Sequence, residues 1–189
     1  FRLGRFWQAA NIPYKWKRCV LLCHVVNSAL SAVECFIPSS GQLRKLELAV
    51  AGLCRRAMRG KASWEDAPHV RSLSSQQVLE YWKIIPLCTE LRVRRLKWFQ
   101  GVCYFSEAHR QLIAAWFGTY LGEDVFGEFV SIRPDANPWA LRVHADIEQL
   151  VLASEEAADI WSDCKGRVKR LFEPEFASRF RRVDMNILR

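Results

Sequence analysis

Glycine and proline are scarce, at 9 and 7 residues of 189, which excludes a collagen-like repeat and a Gly/Pro-rich low-complexity chain. No segment repeats another. The 7 cysteines form an odd count without regular spacing, which argues against a disulfide framework. They read as reduced, mostly buried thiols, and so as a mark of a reducing, intracellular compartment, nuclear or cytoplasmic. Catalytic motifs are missing too: there is no Gly-rich phosphate loop, no Gly-x-Ser-x-Gly and no His-Glu-x-x-His. Cys19, Cys23 and His24 lack a second Cys/His pair, and His69, His109 and His144 stand apart from any cysteine pair. Glu123, Asp124, Glu128 and Asp135 lack the alternating pattern of a calcium loop. The expectation is therefore no metal, no cofactor and no enzyme acting alone.

Lys and Arg are absent from Cys19 to Ile37, the most apolar stretch. His24, Asn27, Ser28, Ser31 and Glu34 nevertheless fall on one arc of a helical wheel, opposite Leu22, Val25, Val26, Ala29, Leu30, Val33 and Phe36. A membrane span does not collect such a stripe, so the segment reads as a largely buried helix and no membrane partner is expected.

What is present is enough for a core. Half the residues are apolar and a quarter charged, which excludes a wholly disordered chain and allows one core or at most two small ones. Beginning at Phe1, the chain reads as a fragment or processed product with no secretory signal ahead of it. Its net charge of +8 conceals a polarity. Residues 1–110 hold 18 Lys+Arg against 7 Asp+Glu, residues 111–163 hold 2 against 10, and residues 164–189 hold 8 against 3. Either the acidic middle folds back onto the basic part, or the basic part carries a polyanion-binding surface.

The punctuation predicts an all-α, irregular helical bundle. Pro13 opens a helix over Tyr14–Phe36, and capping boxes at Ser39/Gln42 and Ser74/Gln77 open two more, the first stopping at Gly60. A helix covers about Thr89–Tyr104, and Ser106 caps another toward Tyr120. Between Gly118 and Pro138, Val125–Ile132 forms a hairpin or stays irregular. Asn137-Pro138 starts a helix. Ser154 starts the last long one, with Lys165, Arg167, Lys169 and Arg170 near its C-terminal end, and Pro174 opens a short terminal element. The implied organisation is a basic helical domain over 1–117, a Gly/Pro-containing loop over 118–136 and a C-terminal helical segment over 137–189.

Two helices carry the functional argument. On Leu43–Arg59, Leu43, Leu46, Val50, Leu53, Cys54 and Ala57 form an apolar stripe, while Arg44, Lys45, Arg55, Arg56 and Arg59 lie on the other side with Leu48, Ala51 and Gly52 between them. These cations span roughly 22 Å, several phosphate spacings, and the small residues let a sugar-phosphate backbone approach. Glu47, the only acid, sits on the apolar flank. A merely solvated basic face is the bland alternative. On the second helix Arg94 and Lys97 are polar-side, whereas Arg92 and Arg95 project among apolar residues and need a carboxylate or a ligand; Glu34, Glu80 and Glu90 are candidate partners. Trp98, Phe99, Tyr104 and Phe105 read as core rather than base-stacking platforms.

The block Trp16–Trp98 resembles the region following the catalytic core in reverse transcriptases of non-LTR, LINE-type retrotransposons. The resemblance rests on Ser28-Ala29-Leu30-Ser31-Ala32-Val33-Glu34, Leu43-x-x-Leu46-Glu47, Cys54-Arg55-Arg56-x-Met58-Arg59-Gly60 and Leu91-Arg92-x-Arg94-Arg95-Leu96-Lys97-Trp98. Trp98-Phe99-Gln100-Gly101-Val102 lacks the His of the family's Trp-x-Gly-His-Val, and neither Tyr-x-Asp-Asp nor an endonuclease domain is present. The resemblance implies a thumb and connector that grips template-primer phosphates, with a polymerase core as partner if the chain belongs to a longer one. Together these readings point to a non-catalytic module binding a DNA, RNA or hybrid duplex through Arg44, Lys45, Arg55, Arg56 and Arg59, with Lys61, Arg94 and Lys97 as a second rank. The alternatives are a helical interaction or scaffold domain with internally neutralised charge, and a non-functional retroelement remnant.

Overall fold

Side-chain caps open several of the helices. The computed structural model describes residues 4–9, 11–31, 33, 36–58, 63–64, 71–105 and 138–189, and these are mostly helical, an all-α arrangement. In chain order the helices are α1 (Gly4–Gln8), α2 (Tyr14–Leu21), α3 (Asn27–Leu30), α4 (Ser40–Ala57), α5 (Ser75–Tyr81), α6 (Leu87–Tyr104), α7 (Pro138–Ala153), α8 (Glu155–Asp163) and α9 (Pro174–Phe180). A π-helical turn, Leu22–Val26, joins α2 to α3, and 3₁₀ turns cover Val168–Phe172 and Met185–Leu188. A short strand β1 (Ser63–Trp64) pairs antiparallel with β2 (Arg71–Ser72). Helix Ser106–Tyr120, the 125–132 hairpin, Asn137 and the acidic loop fall outside the described residues.

Both capping boxes form. Ser39 Oγ accepts from the Gln42 N–H at 3.3 Å while Gln42 Oε1 accepts from the Ser39 N–H at 2.8 Å. Ser74 and Gln77 repeat the exchange at 3.2 and 2.9 Å. The N-terminal helix departs from expectation. It ends at Leu30, where Ser31 turns to ψ 124°, so Phe36 is exposed rather than inward. Leu21, Val25, Val26 and Leu30 are buried, but Cys19 and Cys23 ride on the outer side. With Cys88 also exposed, only Cys54, Cys103 and Cys164 among the described cysteines are buried, which corrects the expectation of mostly buried thiols. Burial pushes the Cys54 thiol up to about 12 and Cys103 well above its ordinary value.

Two helices stop at a signal that the spacing of Gly and Pro does not reveal. After α8, the Gly166 N–H reaches the Trp161 carbonyl at 3.1 Å and the Lys165 N–H the Ser162 carbonyl at 2.8 Å. After α5, Ile84 reaches Leu79 at 2.9 Å and Lys83 reaches Glu80 at 2.8 Å. Both are Schellman closures, and both place a lysine in the left-handed region, Lys83 at φ 50° and Lys165 at φ 52°. The basic run 165–170 therefore follows α8 instead of ending it. Arg170 still folds back, its Nη1 donating to the Asp163 carbonyl at 2.9 Å. Because a side chain in that region costs about 1–2 kcal/mol and glycine about half of that in entropy, Lys83→Gly or Lys165→Gly is expected to raise stability by about 0.5–1 kcal/mol, read as a higher urea midpoint.

The chain divides into two compact units, Phe1–Glu34 with Pro38–Glu90, and Cys35–Ile37 with Leu91–Arg189. In the first unit α4 packs on α5, and the Trp82 indole N–H donates to the Cys54 carbonyl at 3.3 Å. The carbonyls closing α5 are taken up from α2: Tyr14 Oη donates to Tyr81 O at 2.6 Å, Arg18 Nε to Trp82 O at 2.9 Å and Arg18 Nη2 to Lys83 O at 3.1 Å. Glu47 has a role its position on the wheel does not suggest. Its Oε1 accepts from the Leu87 N–H at 3.1 Å and so caps the first residue of α6. Glu47→Ala removes both the acceptor and a negative charge at a helix N-terminus and is expected to cost about 1 kcal/mol, with Glu47→Gln recovering part of it in the same thermal melt.

The second unit is built around Phe99, fully buried on α6, with ring centroids 5.6 Å from Phe172 and 6.2 Å from Phe180. Val93, Leu96, Val143, Ile147, Leu150, Ile160 and Leu171 belong to the same core. Gln100 Nε2 donates to the carbonyls of Phe180 at 2.6 Å and Val183 at 3.0 Å, fixing the end of α9 to α6.

Candidate nucleic-acid interface

The inward stripe of α4 is narrower than its sequence suggests. Val50, Ala51, Cys54 and Ala57 are buried, while Leu43, Leu46 and Leu53 are half-buried. Ala51 is thus core, because α5 packs along that side, and it cannot admit a sugar-phosphate backbone. Gly52 stays half-open, with nothing within 4 Å of where a Cβ would stand.

This shift sorts the α4 cations into two rows. Arg44 and Arg55, eleven residues apart and nearly in line at 100° per residue, border α5. Arg44 lines a groove of about 570 Å³ with Glu47, Leu48, Gln76, Leu79 and Glu80. Arg55 lines a more polar cleft of about 840 Å³ with Ser72–Gln77 and Glu80. Arg55 is half-buried, and its Nη2 donates to the Leu73 carbonyl at 2.9 Å and to Ser75 Oγ at 3.3 Å. It is a strut between α4 and the start of α5, with its Nη2 committed to that junction.

Lys45 and Arg56 form the second row, also eleven residues apart and roughly 16 Å along the axis. Both are exposed, as is Arg44. Among the described residues no ion pair engages Arg44, Lys45 or Arg56. Arg59 and Lys61 lie outside the described residues. Arg94 and Lys97 belong to the second unit: Arg94 is half-buried, and Lys97 Nζ donates to Asn186 Oδ1 at 2.8 Å.

Arg92 and Arg95 find a carboxylate that sequence reasoning missed. Asp146 of α7 takes both, Arg95 Nε at 2.7 Å and Arg92 Nε at 3.3 Å, and Arg142 Nε stands 3.6 Å from the same carboxylate. Arg95 and Asp146 are the buried charged residues among those described. A signal for Asp146 was present in the sequence, since it shares one face of α7 with Trp139, Val143 and Leu150. The aromatics divide. Phe99 is core and Trp98 packs edge-on against Trp139, but Tyr104 and Phe105 are exposed, and the Arg181 guanidinium lies 3.8 Å from the Tyr104 ring centroid.

Among the described residues no group of three or more His, Cys, Asp or Glu stands close enough to hold a metal ion, and no helix is long and apolar enough to cross a membrane. No family model matches the chain, and no curated protein or solved structure matches it either.

Proposed function

We propose that this chain is a non-catalytic, nucleic-acid-binding helical module that grips duplex phosphates through the open side of α4. The reading rests on one observation: Arg44, Lys45 and Arg56 project from a single 18-residue helix into solvent without a carboxylate partner among the described residues. Guanidinium and ammonium groups spaced along a rigid rod suit the sequence-independent, salt-sensitive term of polynucleotide binding. The resemblance of Trp16–Trp98 to the thumb and connector of LINE-type reverse transcriptases supports the same reading, as part of a polymerase or as a remnant of one.

The scaffold alternative, in which internal carboxylates neutralise the cations, draws support from Asp146, which serves Arg92, Arg95 and Arg142, and from Asp163, which pairs with Arg179, but among the described residues neither carboxylate meets an α4 cation. The deciding experiment is retention on a DNA or RNA duplex by the native chain and by a variant carrying Arg44→Glu, Lys45→Glu and Arg56→Glu. Equal retention rejects the proposal.

A further inference from the structure

Among the described residues the cluster around Asp146 is short of negative charge. Three guanidinium groups meet one carboxylate, each through its Nε: Arg95 at 2.7 Å to Oδ2, Arg92 at 3.3 Å and Arg142 at 3.6 Å to Oδ1. None uses the paired N–H fork that makes arginine–carboxylate contacts strong. Asp146 is 1 % and Arg95 2 % exposed, so this pair is held away from water. Among the described residues Arg95 Nη2 is buried without a hydrogen-bond partner. An unsatisfied charged donor in a low-dielectric site costs more than most single contacts return, and a surplus of two positive charges raises that cost.

The rim of the cluster is open. The side chains of Arg92 and Arg142 keep 24 % and 39 % of their exposure, and they come from different helices, α6 and α7, held in register by the same buried oxygen. Arg92, hydrogen-bonded through Nε, and Arg142, ion-paired without a hydrogen bond, leave their outer N–H groups unspent on Asp146 and together form a receptor for an oxyanion. The charge sets the class of ligand. Three cations less one carboxylate leave +2, which matches the dianion of a phosphate monoester and exceeds the single charge of a backbone diester.

We propose that Arg92 and Arg142, oriented by Asp146 and backed by the charge of Arg95, form a binding site for a phosphate monoester. The site lies wholly in the second unit and shares no residue with the α4 interface.

The test is titration of the full chain with inorganic phosphate at pH 8, followed by ³¹P line broadening and calorimetry, with chloride holding ionic strength constant. Saturable binding in the millimolar range or below is expected, and Arg142→Gln and Arg92→Gln should each weaken it by about tenfold, the loss of one charge-assisted contact. Both positions are half-exposed, and circular dichroism checks that each variant folds. Dimethyl phosphate, a diester, should bind more weakly than methyl phosphate. A 5′-phosphorylated oligonucleotide binding more tightly than its 5′-hydroxyl twin identifies a strand end as the source of the group; equal binding of the two identifies a small free phosphate. No saturable phosphate binding, or binding equal in the native chain and both variants, overturns the proposal. The α4 reversal leaves this titration unchanged.

Discussion

Asp146→Asn is expected to destabilise the second unit by about 3–5 kcal/mol, the usual cost of leaving a buried charge without its partner. The substitution changes almost no volume, so packing around Phe99 and Ile147 is preserved and the loss is electrostatic. Arg95, nearly inaccessible to solvent, then faces a neutral amide while Arg92 and Arg142 repel it and each other. Because the chain holds two units, the effect is best followed by amide hydrogen exchange over α6 and α7 rather than by a single global midpoint. A second variant isolates the cause. Adding Arg95→Met to Asp146→Asn removes the stranded charge, and the double variant should recover a substantial part of the loss. If Asp146→Asn alone exchanges at the native rate, the ion-pair account of this core is wrong.

Reversing Arg44, Lys45 and Arg56 to Glu is expected to lower duplex affinity by about a hundredfold or more at moderate salt, because each lost phosphate contact takes about 0.9 from the slope of log K against log salt and each new carboxylate adds repulsion. The fold should persist, since all three side chains are exposed and none is bound into an ion pair among the described residues. Arg55 is deliberately left in place. Its reversal would break the bonds to Leu73 and Ser75 and confuse a loss of binding with a loss of the α4–α5 junction. Binding by the native chain should weaken with salt and be indifferent to base sequence. A native affinity that is flat between low and high salt would count against phosphate contacts altogether.

Local chemistry was the legible part of this chain. Ser39/Gln42 and Ser74/Gln77 announce helix starts because a capping box is satisfied within four residues, with no help from the rest of the fold. The ends of α5 and α8 were less legible because lysine, not glycine, occupies the left-handed position, and the signal lies in backbone bonds that tertiary packing stabilises. The π-helical turn at Leu22–Val26 escaped for the same reason: a wheel drawn at a constant 100° per residue cannot show where the angle changes.

The site was legible in composition and not in pairing. A cationic side of α4 follows from periodicity, but whether Arg55 faces solvent or Leu73 depends on where α5 docks. Arg92 and Arg95 announce that they need a partner, while the choice of Asp146 depends on how α6 meets α7, 51 residues away in the chain for Arg95. Long-range choices of this kind carry no local pattern. Helical faces can be read from sequence, then, and the contacts between them cannot.

The widened turn between α2 and α3 has a consequence for how this helix tolerates change in length. One surplus residue is accommodated at Leu22–Val26 while Leu21, Val25, Val26 and Leu30 all still point inward. A gene that lost one codon there would encode an ordinary helix with its inner edge nearly intact, so this stretch can absorb a deletion that would scramble α4 or α6.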